Sequence, residues 1–181
     1  MKLLIAKILS SVLRAYFKLR FGGRISWGRD VILNHRFKFK GPGKLIIGDE
    51  VNMWAHKEAN EFLTFSNEAV IKIGKRTRLN GVTVQCRQSV TIGEECLIGS
   101  AIIMDNDFHS VYFEKRKDPK AIKSAPVVIG DCVWLAGQCA ILKGVNIGTE
   151  SVVGFRAVVT KDIPAKKVAA GNPAVIVKDI C

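Results

Sequence analysis

The fold is decided by residues 129–164, IGDCVWLAGQCAILKGVNIGTESVVGFRAVVTKDIP. Aliphatic residues lead six consecutive hexads in this stretch, namely Ile129, Leu135, Ile141, Ile147, Val153 and Val159. The fifth hexad positions are mostly small or β-branched, namely Val133, Cys139, Val145, Ser151, Ala157 and Ile163. A period of six is neither that of a helix nor the alternation of a simple strand. A repeat of fixed period indicates a fold of stacked units.

Three flat sides of six residues each make one triangular turn of about 18 residues, and such turns stack into a solenoid. The repeat therefore predicts a parallel β-helix whose lead residues point into a narrow interior. We expect the glycine or small residue after each lead residue to take the tight corner. Further hexads begin at Ile73, Ile92 and Ile98, and weaker copies begin at Val31 and Ile47.

Composition supports one folded domain with an anionic partner. The chain has 181 residues, 48% of them hydrophobic and only 8% aromatic, so aliphatic side chains are expected to supply most of the core. The net charge of +12 indicates nucleic acid, a membrane surface or a phosphorylated small molecule. Because no zinc-finger spacing, helix-turn-helix pattern or basic–aromatic platform accompanies this charge, the sequence argues against nucleic acid.

The five cysteines have no CxxC spacing and are odd in number: Cys86, Cys96, Cys132, Cys139 and Cys181. This pattern disfavours a disulfide framework or a zinc site and predicts a reducing, cytoplasmic location. Cys96 and Cys139 occupy small-residue positions of the repeat, which predicts that they are core residues.

Residues 1–24, MKLLIAKILSSVLRAYFKLRFGGR, predict an amphipathic helix that ends at the two glycines. A polar stripe follows spacings of four, three and four residues, namely Lys7, Ser11, Arg14 and Lys18. Charges interrupt the apolar run, so neither a signal peptide nor a bilayer span is expected. Two interpretations stay open: packing on the protein body or a neighbouring subunit, or peripheral contact with an anionic cytoplasmic membrane.

Residues 127–178 resemble the carboxyl-terminal part of the hexapeptide-repeat acyltransferases, in the branch that acetylates galactosides, maltose and polysaccharides. VTKDIP at 159–164 and AAGNPA at 169–174 are the most specific motifs, and the resemblance covers roughly residues 45–180. It implies an all-β, left-handed parallel β-helix over residues 25–181, with an extruded arm at 105–125. The segment HKEANEFLTF, residues 56–65, is interpreted as an insertion that interrupts the coils.

The arm breaks the repeat, and a rigid scaffold commonly carries function on such a segment. In the resembling family this arm covers a neighbouring subunit of a homotrimer, the active site lies between subunits, and a catalytic histidine begins the arm. His109 matches that placement and is our candidate general base. A nearby carboxylate, Asp107 or Asp105, is a candidate to orient the imidazole, and Asp105 is also placed at the acceptor. Either aspartate has the alternative interpretation of a turn former.

The resemblance also implies a donor site and an acceptor site. Contacts of acetyl-CoA, the acyl donor, carry over onto Gly137, Phe155, Thr160, Lys161 and Lys178. Phe155 departs from the small residue usual in the family. Asn80 and Trp134 are candidates for the saccharide acceptor. No catalytic metal is expected, because His35 and His56 fall in poorly aligned segments and no partner histidine accompanies His109.

The sequence therefore predicts a cytoplasmic O-acetyltransferase that acts on a sugar hydroxyl in surface polysaccharide biosynthesis. Three alternatives remain at this point. The enzyme could acetylate the nitrogen of an amino-sugar nucleotide, or an antibiotic or other small molecule. Alternatively, the chain is a non-catalytic β-helical trimer scaffold, or a binding module recruited to a membrane.

Overall fold

A computed structural model describes residues 2–180, which form a helix followed by a β-helix. Helix α1 spans Lys2–Phe21, and a 3₁₀ turn follows at Gly22–Arg24. The strands, in chain order, are β1 (Ile25–Trp27), β2 (Ile32–Leu33), β3 (Phe37–Lys40), β4 (Lys44–Ile47), β5 (Asn52–Met53), β6 (Asn60–Thr64), β7 (Val70–Ile73), β8 (Arg78–Leu79), β9 (Thr83–Cys86), β10 (Ser89–Ile92), β11 (Leu97–Ile98), β12 (Ile102–Met104), β13 (Val127–Ile129), β14 (Trp134–Leu135), β15 (Ala140–Ile141), β16 (Asn146–Ile147), β17 (Val152–Val153), β18 (Val158–Val159), β19 (Lys167–Gly171) and β20 (Ala174–Asp179).

These strands form the three faces of a triangular prism, around which the chain coils as a left-handed β-helix. Sheet one has the order β1-β4-β7-β10-β13-β16, sheet two has the order β2-β5-β8-β11-β14-β17-β19-β20, and sheet three has the order β18-β15-β12-β9-β6-β3. Neighbouring strands are parallel throughout, except for the final hairpin of β19 and β20. The all-β class predicted from the hexads is confirmed, and each turn of the coil supplies one strand to each sheet.

The lead residues of the hexads fill the interior of the prism. All six leads between residues 129 and 159 are at most 2% exposed, and they stack on their equivalents in adjacent turns. Ile92 pairs in register with Ile129, which pairs in turn with Ile147. The predicted inward orientation of the leads is therefore confirmed, and burial of this column drives the stacking.

The corners differ from the sequence-based expectation. The residue with positive φ is the fourth in five of the six hexads between residues 129 and 164, as at Cys132 (φ 56°) and Glu150 (φ 61°). The glycine after the lead does not take this conformation. That glycine is required for a different reason. Gly130 donates its N–H to the carbonyl of Ile147 at 2.8 Å, and a Cβ on Gly130 would lie 2.8 Å from the backbone nitrogen of Thr149. Close approach of successive turns, not backbone conformation, selects glycine here.

The segment at 56–65 does not interrupt the coils, so this interpretation was wrong. Its second half forms β6, which pairs in parallel with β3 on one side and β9 on the other. Phe62 lies fully buried at the centre of this strand. Residues 57–59 enlarge one corner of the coil. The side-chain oxygen of Asn60 then accepts the N–H groups of Gly81 and Val82, which fixes the start of β6 against the next turn.

Helix α1 covers the amino-terminal end of the prism with one face. The hydroxyl of Ser10 is buried and lies 3.0 Å from both the N–H and the carbonyl of Leu33. Phe17 packs edge-on against Phe37 with ring centroids 4.8 Å apart, and Phe21 packs against Phe39 in the same way at 5.2 Å. Packing on the protein body, one of the two interpretations of this segment, is therefore present.

This end of the core is aromatic, whereas the rest of the interior is aliphatic as expected. Within residues 2–180, no helix is both long enough and apolar enough to cross a bilayer. Cys86, Cys96 and Cys139 are buried free thiols, Cys132 is an exposed free thiol, and Cys181 lies outside the described residues. The predicted core placement of Cys96 and Cys139 is confirmed.

Candidate active site

Asp105 anchors the base of the arm. Its carboxylate is fully buried and accepts the backbone N–H groups of Arg87 at 2.7 Å and of Gln88 at 2.6 Å. Its backbone carbonyl accepts the N–H of Ala125 at 2.9 Å, so the two ends of the arm meet at this residue. The acceptor contact predicted for Asp105 is corrected, because a carboxylate buried in this way holds the arm and is not open to a substrate.

His109 lies exposed just beyond this anchor. The segment Asp107–His109 makes a tight turn in which the N–H of His109 donates to the carbonyl of Asp107 at 2.6 Å, with Phe108 at a φ of 60°. The imidazole Nδ1 lies 3.2 Å from the carbonyl oxygen of Arg116. When Nδ1 carries the proton and donates to that carbonyl, Nε2 has its lone pair available to accept another proton.

The orienting group differs from the prediction. The carboxylate of Asp107 pairs with the ammonium of Lys143 at 2.6 Å, and the imidazole of His109 bonds instead to the carbonyl of Arg116. The carbonyl of Arg116 takes the place assigned to a carboxylate, and Asp107 acts on His109 only through the backbone turn. Neither aspartate therefore orients the imidazole with its side chain.

Lys143, Thr160 and Lys161 lie with His109 along one edge of the prism, which we call the arm edge. Lys143 and Lys161 are one 18-residue turn apart, and the adjacent Leu142 donates its N–H to the carbonyl of Val159 at 3.1 Å. Thr160 and Lys161 are exposed. The arm edge thus places the imidazole of His109 and the exposed ammonium of Lys161 beside the Asp107–Lys143 ion pair, and the charge of Lys161 suits a phosphorylated or otherwise anionic ligand.

A second group of candidates lies on the outer face of sheet two. Asn52, Arg78, Leu97, Trp134 and Val152 are consecutive partners in the parallel register, so their side chains form one outward column. Trp134 is 51% exposed in this column. The expectation that Trp134 points away from the interior is met.

Beside this column runs a trough of small residues. Asn80 donates its N–H to the carbonyl of Ile98, Gly99 to that of Leu135, and Ala136 to that of Val153, each at 2.9 Å. Positions 80, 99 and 136 therefore stack. The side chains at these positions become smaller towards the carboxyl-terminal end of the trough, from asparagine to glycine and alanine. Asn80 and Trp134 line one small cleft at its side, so the structure brings the two acceptor candidates together.

Phe155 closes part of this trough. Its ring atoms lie 3.6 Å from the position that a Cβ on Gly137 would occupy, and the ring is 61% exposed. The guanidinium of Arg156 stacks on the same ring at 5.2 Å and donates to the side chain of Gln138 at 2.8 Å. Gly137 and Phe155 are thus in contact, and the phenylalanine narrows the groove where the family has a small residue.

Lys178 lies apart from these groups, on the exposed last strand. It pairs with Val168 in the antiparallel hairpin of β19 and β20, at the carboxyl-terminal end of sheet two. The trough and the arm edge occupy different edges of the prism. A side of six residues, at about 3.3 Å per residue, separates adjacent edges by up to about 20 Å. A single chain therefore holds the candidates in two separate groups, His109 with Lys161 and Asn80 with Trp134.

Three residues near the candidate site were not singled out from the sequence. Arg78 and Trp54 line a groove at the upper end of sheet two, and Lys143 ties down the arm. The register of the hexads would have placed Arg78, because it stands two turns before Trp134 in the same outward column. No sequence pattern identifies Lys143 as the partner of Asp107, because this ion pair forms only when the arm folds back onto the coil.

One curated relative settles the family. Over 166 residues, 92% of this chain is 30% identical to WcaF of Escherichia coli K12, provisionally named a colanic acid biosynthesis acetyltransferase, and the match covers 74% of that protein. The chain belongs to the hexapeptide-repeat acyltransferase family. Its matches place it in the O-acetyltransferase branch, as the sequence motifs indicated. No family model matches the chain.

Two further relatives of this acyltransferase agree. The galactoside O-acetyltransferase of Escherichia coli K12 is 38% identical over 117 residues, which are 64% of this chain and 57% of that enzyme. The solved structure of a galactoside acetyltransferase in complex with coenzyme A superimposes with a TM-score of 0.63 at 33% identity, covering 75% of this chain and 64% of that one. The chain therefore spans somewhat less than two thirds of these galactoside enzymes. Within residues 2–180, no three His, Cys, Asp or Glu side chains are grouped as metal ligands.

Proposed function

We propose that this acyltransferase moves an acetyl group from acetyl-CoA to a sugar hydroxyl during the biosynthesis of a surface polysaccharide such as a capsule, O-antigen or exopolysaccharide. The observation that carries the proposal is the placement of His109. It is exposed at the base of the arm, and its Nδ1 is 3.2 Å from the carbonyl of Arg116. Membership of the family, and the relatedness to WcaF, support the reaction class and the kind of acceptor.

The reaction needs one proton acceptor and no covalent enzyme intermediate. With Nδ1 donating to Arg116, the Nε2 of His109 takes the proton of the sugar hydroxyl while the hydroxyl oxygen attacks the thioester carbonyl carbon. The tetrahedral intermediate then collapses, the carbon–sulfur bond breaks, and the imidazolium returns its proton to the departing CoA thiolate. Removal of such a base typically costs about 10²–10⁴-fold in rate.

The donor is assigned to the trough and the arm edge. Gly137 and Phe155 border the pantetheine arm of acetyl-CoA, and Thr160 lies further along its path. Lys161 and Lys178 are exposed and supply positive charge for the CoA phosphates. On the acceptor side, the indole of Trp134 offers a flat apolar surface to a sugar ring, and Asn80 offers an amide to its hydroxyls.

The catalytic unit of this proposal is a homotrimer. His109 stands on the arm edge and Trp134 stands on the outer face of sheet two beside the trough, so a complete site forms when the arm edge of one copy meets the trough of the next. We place the enzyme in the cytoplasm, where acetyl-CoA is made, with peripheral contact between residues 1–24 and the inner face of the cytoplasmic membrane.

The test is transfer of radiolabel from acetyl-CoA to a bacterial glycan and lipid-linked saccharide extract. His109→Ala is compared with His35→Ala, which removes another exposed histidine remote from the arm. We expect base-labile label with the intact protein and with His35→Ala, and loss of about 10²-fold or more with His109→Ala. Equal labelling by all three proteins would contradict the role of His109 as base.

The chemical form of the label separates the alternatives. A product stable to mild base would indicate an amide, and hence N-acetylation of an amino sugar. If none of the proteins transfers label, binding of CoA is measured next. CoA binding without transfer would show that the acceptor is wrong, and absence of CoA binding would favour a non-catalytic scaffold.

A further inference from the structure

Helix α1 has a second apolar face, opposite to the one that packs on the prism. The side chains of this face lie between 58% and 88% exposed, namely Leu4, Ile5, Ile8, Val12 and Leu19. At 100° per residue they cluster on the side opposite to Ser10 and Phe17, which face the body. A helix whose outer face is this apolar needs a partner for it, because exposed contiguous apolar patches mark interaction sites.

Basic residues border this exposed face. Residues 2–24 contain six lysines and arginines and no acidic residue: Lys2, Lys7, Arg14, Lys18, Arg20 and Arg24. Lys7 and Lys18 fall on one side of the apolar face and Arg20 on the other. An apolar strip with cationic borders matches the apolar–anionic boundary of a bilayer that contains acidic lipids. The charge argues against a second copy of the same basic surface as the occupant.

A groove of about 580 Å³ leads from the helix towards the acceptor candidates. Ile5 and Ile32 line its helix end, and Trp54, His56 and Arg78 line the end nearer the trough. Arg78 also borders the cleft of Asn80 and Trp134, so the two depressions adjoin. The backbone N–H of His56 donates to the side chain of Asn80 at 3.1 Å, which links them a second time.

The order of chemistry along this path is specific. It runs from the exposed apolar face of the helix, through Ile5, Ile32 and Trp54, to the guanidinium of Arg78, and then to the aromatic and amide groups of Trp134 and Asn80. This order of surface groups complements an amphiphile with an apolar tail, an anionic linker and a sugar, because arginine recognises phosphate and aromatic rings pack on sugars. From Ile32 to Trp134 the path crosses four strand spacings, about 19 Å.

We propose that helix α1 docks on an anionic membrane through its exposed apolar face, and that the groove at Trp54 and Arg78 guides a lipid-linked saccharide from that membrane to the acceptor site. This inference rests on the proposed function and names its substrate class. The helix serves two surfaces at once, since one face closes the core and the other enters the lipid headgroup region.

Vesicle sedimentation tests the docking independently of any acetyl transfer. The double variant Ile8→Asn/Val12→Asn removes two exposed aliphatic side chains, and Ser11→Asn is the matched control on the polar stripe of the same helix. We expect the intact protein and the control to sediment with phosphatidylglycerol vesicles and not with phosphatidylcholine alone. The double variant should bind about 100-fold more weakly.

Transfer assays test the delivery of the acceptor. A bacterial lipid-linked saccharide extract in phosphatidylglycerol vesicles is compared with the saccharide that mild acid releases from the same extract. We expect the double variant to lose about tenfold or more in transfer to the lipid-linked form and to keep transfer to the released saccharide. Trp54→Ala should keep vesicle binding but lower transfer to the lipid-linked form.

Specific results would overturn the proposal. They are failure of the intact protein to sediment with anionic vesicles, or undiminished transfer to the lipid-linked form by the double variant and by Trp54→Ala. A change of oligomeric mass in the double variant would assign the helix face to a neighbouring copy instead. If the intact protein labels neither acceptor, the proposed transfer to these saccharides is wrong, and sedimentation still decides the docking.

Discussion

The carboxylate of Asp107 and the ammonium of Lys143 form an ion pair at 2.6 Å that ties the start of the arm to the next turn of the β-helix. Both side chains are about one third exposed, at 29% and 33%. Asp107 is two residues before His109 and shares a tight turn with it. The pair therefore positions the base of the proposed reaction through the backbone of the arm.

Removing this pair should loosen the arm. In Lys143→Met we expect faster tryptic cleavage between Lys115 and Lys117 and a several-fold lower acetyl-transfer rate, since the pair contributes about 1 kcal/mol. Lys75→Met is the control, because Lys75 pairs with Glu94 at 3.1 Å away from the arm. Cleavage at the same rate in both variants would show that the pair does not hold the arm.

Asp105 should matter more for stability than any other acidic residue of the arm. Asp105→Ala removes a fully buried carboxylate and leaves the backbone N–H groups of Arg87 and Gln88 without their acceptor, and we expect a loss of about 2–4 kcal/mol in the free energy of unfolding. Urea denaturation measures this loss. Asp118→Ala is the control: its carboxylate accepts only the N–H of Lys120, at 2.9 Å on the exposed arm, so its effect should stay below about 1 kcal/mol.

The glycine after a lead residue should be required by the spacing of the turns. Gly130→Ala places a methyl group 2.8 Å from the backbone nitrogen of Thr149 and should cost about 1–3 kcal/mol, measured by thermal or urea unfolding. Gly23→Ala is the matched control, because no atom lies within 4 Å of a Cβ there and its φ is not positive. Equal stability of the two variants would refute the close-approach explanation.

The buried thiols should make the fold less stable in alkali. Burial raises the pKa of the Cys96 thiol and of the Cys139 thiol from the ordinary 9.0 to about 11. Above pH 9 the unfolded chain loses these protons before the folded chain does, so the folded state binds more protons and its stability falls as pH rises. Between pH 8 and 10.5 this should amount to about 1–2 kcal/mol for each thiol.

Urea unfolding at several pH values checks the effect of the thiols. The double variant Cys96→Ala/Cys139→Ala keeps small apolar side chains at both positions and should lose this part of the alkaline decline. Parallel stability curves for the two proteins would mean that other groups, such as lysines, cause the decline.

Trp134 should affect the acceptor and not the donor. In Trp134→Ala we expect the KM for the saccharide to rise about tenfold while the Kd for CoA is unchanged, and Trp134→Phe should keep much of the affinity. Steady-state kinetics and calorimetry give these two quantities separately. Weaker CoA binding in the alanine variant would move Trp134 to the donor side.

Much of the fold was predictable because a period of six has one structural solution. The leads at Ile129 and Ile147, and the small residue at Cys139, identify interior positions without any knowledge of long-range contacts. The segment 56–65 was misjudged because its first residues lack the repeat, although Phe62 and its neighbours alternate as a strand does. A local pattern of alternating residues indicates which side chains are buried. It does not indicate at which residue the chain re-enters the sheet after the enlarged corner at residues 57–59.

The sequence by itself determined the β-helix, its family and the position of His109 at the break in the repeat. Only the tertiary structure decided what the acidic residues of the arm do: Asp105 is buried under the coil, and Asp107 turns to Lys143. It also decided that helix α1 has one face on the core and one exposed. The physical reason is that the hexad period fixes which residues meet between successive turns of the β-helix. The arm and the helix lie outside this period, so their contacts depend on where the chain folds back against the coil.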